Sequence, residues 1–148
     1  EAFNENTDTQ IATPVLRLDG ALLNAFKLDR RSGRVGGTTV VFDNESNALY
    51  FSKEIIPYFD KKRLKRSETY PIFHHVGVYA YRRKLLLNYN SWKESNLELL
   101  EGLEQLRFLE NGYSIKCVPV DSKGRTFWEL NNPEDVARIE KEINKNIA

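Results

Sequence analysis

Residues 71–82, PIFHHVGVYAYR, constrain the fold most, because they read as a β-strand that is apolar at both parities. A strand with two apolar faces belongs in the middle of a sheet that is covered on both sides. Successive strand residues point to opposite faces. Ile72, His74, Val76, Val78 and Ala80 therefore share one face, and Phe73, His75, Gly77, Tyr79 and Tyr81 the other. The first face is apolar apart from His74 and reads as packing under helices. On the second, His75 and Tyr79 flank Gly77, and a glycine inside a strand often marks close approach of a ligand or another backbone. Two readings fit this pair: a small-molecule pocket built on an imidazole and a phenol, or two side chains satisfied inside a packed core. The chain's two histidines are adjacent here, so parity gives them different jobs.

Around this strand, periodicity and turn chemistry alternate. IATPVLRL (11–18) reads as a strand and DGALLNAFKLD (19–29) as a short helix. RRSGRVGG (30–37) is a basic, glycine-rich loop. TTVVFD and ALYFSK flank DNESN as a β-hairpin. RKLLLNYNSW reads as a short helix. SNLELLEGLEQLRFLENG is expected as one long helix, opened by a Ser95–Glu98 capping box and closed at Gly112. Leu97, Leu100, Leu103 or Glu104, and Leu106 or Arg107 follow along it at three-to-four spacing. YSIKCVPV is the next strand. NNPEDVARIEKEINKN is a helix with Asn132 as N-cap and Pro133 at the first position. Interleaved strands and helices define an α/β class.

On the long helix Glu104 and Gln105 stand side by side among leucines. One of them faces the apolar stripe, where a carboxylate is costly unless partnered. The pair either accepts from and donates to a polyhydroxylated ligand or lies on a solvated face. KKRLKR (61–66) reads as a solvated loop or as a nucleic-acid patch, although no interleaved aromatic supports base stacking.

Composition removes several function classes. The 148 residues carry 22 basic and 21 acidic side chains, a net charge of +1, so no whole-chain bias toward nucleic acid or an anionic membrane exists. The single cysteine, Cys117, precludes an intramolecular disulfide, fits a reducing, cytoplasmic compartment and reads as a small buried hydrophobe. No apolar run approaches the ~20 residues of a membrane helix. Methionine is absent and the chain opens on EAFNENTDTQ, which has the character of a helix entered part-way. We therefore expect residues 1–148 to be a portion of a longer protein.

NALYFSKEIIPY, HHVGVYAYRR, SNLELLEGLEQLRFLENGYSIK and NNPEDVARIE occur in the order and spacing of one family. From about residue 38 to 140 the chain resembles the C-terminal half of the CMP-Kdo synthetases, the 3-deoxy-manno-octulosonate cytidylyltransferases. The resemblance implies a mixed nucleotidyltransferase-type sheet flanked by helices, with a β-hairpin dimerisation arm. Residues 1–148 would form the sugar-binding and dimerising portion of one cytidylyltransferase domain. It implies transfer of CMP from CTP to the sugar acid Kdo for lipopolysaccharide synthesis, with Mg2+ as cofactor, in a homodimer that takes no nucleic acid or membrane as partner. It places His75, Tyr79, Glu104 and Gln105 in the sugar pocket and leaves His74 structural. It also puts Lys53 where the family has an arginine, keeping the charge but losing the planar fork.

Three departures accompany the resemblance. The family's N-terminal half, with its loop for the CTP phosphates and an aspartate for magnesium, has no counterpart here, and RVGG (34–37) is too short to serve as a phosphate cradle. Asn131 stands where the family has a magnesium-binding aspartate, and an amide oxygen coordinates a hard cation without contributing charge. Lys53 is the third. We expect a portion inactive by itself; the rival expectation is a non-catalytic binding or assembly remnant of the same family.

Overall fold

The computed structural model describes residues 2–35, 37–60, 70–123, 127–130 and 132–147. Its spine is β1 (Ile11–Arg17), in which five of the first six residues are buried and Pro14 is half-buried. β-Branched and aliphatic residues on both faces of β1 explain why it is covered from both sides. A four-residue helix, α1 (Ala2–Glu5), precedes it. Asp19 then accepts the Leu22 N–H at 2.7 Å and opens α2 (Gly20–Arg31), whose Leu23 and Phe26 are buried.

β2 (Thr39–Phe42) and β3 (Ala48–Ser52) form the expected hairpin. The Asp43 carboxylate shapes the turn by accepting the N–H groups of Glu45 at 2.9 Å and Asn47 at 2.8 Å. β4 (Phe73–His75) lies between β2 and β1, antiparallel to both. β5 (Ala80–Tyr81) also pairs antiparallel with β1, and β6 (Lys116–Pro119) pairs with it in parallel. The sheet is therefore mixed, in the order β3-β2-β4-β1. The hairpin is its outer edge, and its turn reaches β6, where Cys117 N–H donates to Ser46 O at 2.8 Å.

The helices α3 (Arg83–Tyr89), α4 (Asn96–Glu101) and α5 (Gln105–Glu110) serve the larger core, built on Ile11, Val15, Phe51, Leu85, Leu106 and Phe108. A second core of Leu18, Leu23, Phe26 and Ile72 lies beneath α2. Cys117 is buried in the larger core, and burial pushes its thiol up to about 12, consistent with a packing role.

α6 (Pro133–Ile147) is latched to α2 by charge. Arg138 donates to both carboxylate oxygens of Asp29 at 2.9 Å, and its guanidinium lies 4.7 Å from the Trp128 ring. The buried Asp135 carboxylate accepts from Trp128 Nε1 at 2.6 Å and from the Asn132 N–H at 2.7 Å. These bonds fix the path of residues 127–130.

Two sequence expectations are corrected. The histidine segment is not one strand. Val76–Tyr79 leave the ladder, and Val78 is 63% exposed instead of packed under a helix. The long helix is two. Gly102 takes the left-handed conformation, φ +61°, and ends α4, a conformation glycine adopts without penalty. Glu98, placed by its bond from the Ser95 N–H, then receives Arg107 of α5 at 2.6 and 2.5 Å and folds the second helix back. The supposed stripe consequently dissolves, since Leu100 is 82% exposed. Gly112, φ +78°, does follow α5 as expected.

KKRLKR (61–66) lies outside the described residues. Gly37 of the RVGG loop is explained by packing, because a Cβ there would fall 2.6 Å from the Phe26 ring and 2.8 Å from His74 Nε2.

Candidate functional site

The site begins with a register shift. Val15 is opposite His75 and Ala12 is opposite Ala80, so two residues of β1 face four residues of the β4–β5 segment. β6 takes the other edge of β1 at the same residues, which places β4 and β5 end to end along one edge. The two extra residues must leave the sheet. Val78 N–H turns back onto Val76 O at 2.6 Å, and the Thr13 hydroxyl lies 3.1 and 2.9 Å from the carbonyl oxygens of Val76 and Val78.

This excursion swings Tyr79 back over His75, with ring centroids 5.2 Å apart. In an unbroken strand the two would stand about 13 Å apart. Tyr81 stacks on Tyr79 at 5.6 Å, and Phe51 meets His75 edge-on at 5.1 Å. The two rings are neighbours through this excursion and not through strand alternation.

A cavity of about 550 Å³ opens beside them. Gly77 and Thr38 line it on the sheet side, and Leu103, Glu104, Gln105 and Phe108 on the α4–α5 side. The helix break builds that second wall. Glu101, the last residue of α4, accepts from Ser52 Oγ at 2.7 Å, Lys53 N–H at 2.9 Å and Tyr50 Oη at 3.3 Å. This ties Gly102 to the end of β3. Lys53 is not among the lining residues, but its ammonium packs against Gly102, where a Cβ would lie only 2.8 Å from Nζ. Lys53 therefore stands at the rim.

His75 Nε2, Tyr79 Oη and Gln105 Nε2 are buried and have no hydrogen-bond partner among the described residues. Each such group costs roughly 1–3 kcal/mol, and native proteins hold few of them. All three line the same cavity. Burial pulls the His75 pKa down to about 4 and raises that of Tyr79. Near neutral pH the pair is an uncharged imidazole and an uncharged phenol, suited to hydroxyl groups.

His74 points the other way. It is fully buried against Phe26 at 5.0 Å and Phe127 at 5.3 Å, and burial pulls its pKa to about 3. Its Nε2 lies 3.9 Å from a Glu129 carboxylate oxygen.

Sequence reasoning did not single out Glu129. It lines the cavity, and its Oε1 lies 3.6 Å from where a Gly77 Cβ would be. Nothing local in TFWELNNPED marks it, because the Asp29–Arg138 and Trp128–Asp135 contacts bring it there. Tyr81, Leu86 and Tyr89 complete the lining, and apolar spacing alone assigns such residues to a core. Asn131 lies outside the described residues. Among those described, no three His, Cys, Asp or Glu side chains gather as metal ligands.

The mixed sheet with its flanking helices is of the nucleotidyltransferase type. The chain belongs to the cytidylyltransferase family, whose profile matches residues 33–117. It is 39% identical over 140 residues to the 3-deoxy-manno-octulosonate cytidylyltransferase of Maricaulis maris, covering 95% of this chain and 52% of that protein. It is 42% identical over 104 residues to the 8-amino-3,8-dideoxy-manno-octulosonate cytidylyltransferase of Shewanella pealeana, covering 70% of this chain and 39% of that protein. A solved structure of CMP:2-keto-3-deoxy-manno-octonic acid synthetase in complex with CTP superposes with a TM-score of 0.71 at 25% identity, covering 98% of this chain and 53% of that one. The chain thus spans about half the length of the relatives that it matches along most of its length. Among the described residues no helix is long and apolar enough to cross a membrane.

Proposed function

We propose that this chain is the sugar-acid-binding half of an enzyme that transfers CMP from CTP to 3-deoxy-manno-octulosonate or a close ulosonic acid, releasing pyrophosphate, in lipopolysaccharide synthesis. The observation that carries the reading is the convergence of three unpartnered buried polar atoms, on His75, Tyr79 and Gln105, on one cavity of about 550 Å³. A polyhydroxylated ligand would satisfy all three at once. Family membership and the activities of the relatives support the choice of sugar acid.

In this reading Lys53 at the rim meets the sugar's carboxylate as a point charge. His75, Tyr79 and Gln105 hold hydroxyls, and Glu104 accepts from one of them. Together they orient the anomeric hydroxyl for in-line attack on the α-phosphorus of CTP. Such transfer depends on positioning and charge neutralisation. Mg2+ would supply that neutralisation. The resemblance puts Asn131 where the family has a magnesium-binding aspartate, and its amide oxygen is the donor that we assign to this chain. We place the enzyme in the cytoplasm as a homodimer, with the outer strand β3, where Leu49 is 63% exposed, as the surface available to a second copy.

The test is pyrophosphate release. The full-length protein with CTP, Mg2+ and the sugar acid is expected to turn over. Residues 1–148 alone are expected to bind the sugar, seen as shifts of His75 and Tyr79 resonances, without turnover. Absence of sugar binding by either form overturns the reading, and robust turnover by residues 1–148 overturns the division of roles.

A further inference from the structure

Lys53 is held at the rim by a residue that does not itself line the cavity. The Glu101 carboxylate gathers three donors from the end of β3. One oxygen, Oε1, accepts from Ser52 Oγ at 2.7 Å and from Tyr50 Oη at 3.3 Å, and the other, Oε2, accepts the Lys53 N–H at 2.9 Å. Ser52 is almost wholly buried, and its hydroxyl oxygen accepts the Glu54 N–H at 3.0 Å. The backbone is thereby pinned on both sides of the Lys53 side chain, at its own N–H by Glu101 and at the next by Ser52. Thr39, the cross-strand partner of Ser52, secures the same stretch by donating to Glu54 O at 2.7 Å and accepting the Ile56 N–H at 3.1 Å.

Glu101 is also the residue before the hinge. Gly102 N–H returns to Glu98 O at 2.7 Å, and its φ of +61° turns the chain toward Leu103, Glu104 and Gln105 of the cavity wall. The Lys53 ammonium packs on Gly102. One side chain therefore holds the lysine twice, at its backbone through Oε2 and at its tip through the glycine next in sequence. Hydrogen bonds to an ionised acceptor are stronger than neutral ones. A lysine carries its point charge on a flexible four-carbon stem, so anchoring both ends of that stem removes freedom that ligand binding would otherwise have to take away.

Glu101 is not one of the residues that line the cavity, so it acts through its neighbours. We propose that Glu101 is a positioning residue: by fixing Lys53 and Gly102 to one another it sets where the ammonium meets the carboxylate of the sugar acid. The proposal rests on the sugar-acid reading above. It goes beyond that reading in naming a residue outside the cavity on which affinity for the carboxylate depends.

The experiment uses the full-length protein with CTP, Mg2+ and 3-deoxy-manno-octulosonate, and reads kcat and both KM values from pyrophosphate release. Glu101→Ala is expected to raise the KM for the sugar about tenfold and to leave that for CTP within about twofold. Glu101→Gln keeps one oxygen for the Lys53 N–H and should fall between alanine and the wild type. Because the effect runs through Lys53, Glu101→Ala should add little in a Lys53→Met background, where the ammonium is already gone. A general fold defect would act equally with and without the ammonium. An unchanged sugar KM in Glu101→Ala, an equal rise for both substrates, or additive effects in the double variant overturns the proposal while the parent reading stands. Should Glu101→Ala not fold, Ser52→Ala, which removes one of the three donors, takes its place under the same criteria, with a rise of about threefold expected. If the wild type neither binds nor turns over the sugar, both fail.

Discussion

The rings of His75 and Tyr79 lie 5.2 Å apart because two residues between them have been pushed out of the sheet. Beside the Val78 N–H bond to Val76 O, one side-chain hydroxyl bonds into the excursion. Thr13 is almost wholly buried, and its Oγ1 sits between the carbonyl oxygens of Val76 and Val78.

Replacing Thr13 by valine keeps the shape and removes that hydroxyl. The single hydroxyl proton that serves the Val76 and Val78 carbonyls is then lost, while Val76 O keeps the Val78 N–H, and the expected cost is about 1 kcal/mol. Urea unfolding measures the loss. Sugar affinity should fall as well, because Tyr79 is no longer held over His75. Unchanged affinity in a folded Thr13→Val protein would show that the bulge does not set the pocket.

Tyr79→Phe should act in the opposite sense on stability. The phenol oxygen is buried without a partner among the described residues, so its removal is expected to stabilise the free protein by about 1 kcal/mol. The same change should weaken sugar binding. Thermal unfolding with and without the sugar reads both effects. A loss of stability would indicate that the hydroxyl is satisfied in the free protein.

Acid should destabilise the fold through both histidines. Burial lowers their folded-state pKa values from 6.5 to about 3 for His74 and about 4 for His75. As pH falls below 6.5 the unfolded chain takes up protons that the folded chain refuses. Stability is therefore full above 6.5, declines through the window down to about 4 for His75 and about 3 for His74, and is flat below. At pH 5 the loss is about 2 kcal/mol for each histidine. Denaturant midpoints at pH 7 and pH 5 measure it, and His74→Phe should remove about half of the pH dependence.

Gly102→Ala tests the hinge between α4 and α5. The position has φ +61°, where a side chain costs roughly 1–2 kcal/mol. The new Cβ would also meet Lys53 Nζ at 2.8 Å. The lysine can swing aside, so folding should survive while the ammonium leaves the rim. The expected result is a modest drop in unfolding midpoint together with weaker binding of the sugar's carboxylate. Unaltered affinity for an anionic sugar would remove Lys53 from the site.

Local chemistry made several elements legible without coordinates. The Asp43 turn, the Ser95–Glu98 start of α4, the Gly112 stop and the Asn132–Pro133 start of α6 each depend on partners within a few residues. Backbone groups at such points are satisfied by side chains close in sequence, so the residues announce the structure. The hairpin, β1 and α2 were legible for the same reason. Family motifs added His75, Tyr79, Glu104 and Gln105, which the structure gathers around one cavity.

What tertiary structure alone decided has no short-range signature. The Val76–Tyr79 excursion exists because β1 offers two residues where β4–β5 offer four, a mismatch invisible to parity counted along one segment. The break at Gly102 is held by Glu101 on β3 and by Glu98 on Arg107. Glu129 enters the cavity through an ion pair between residues 29 and 138. Local capping and alternation are energies between neighbours and can be read along the chain. Pocket walls are set by contacts between residues far apart in sequence, which exist only once the sheet has closed.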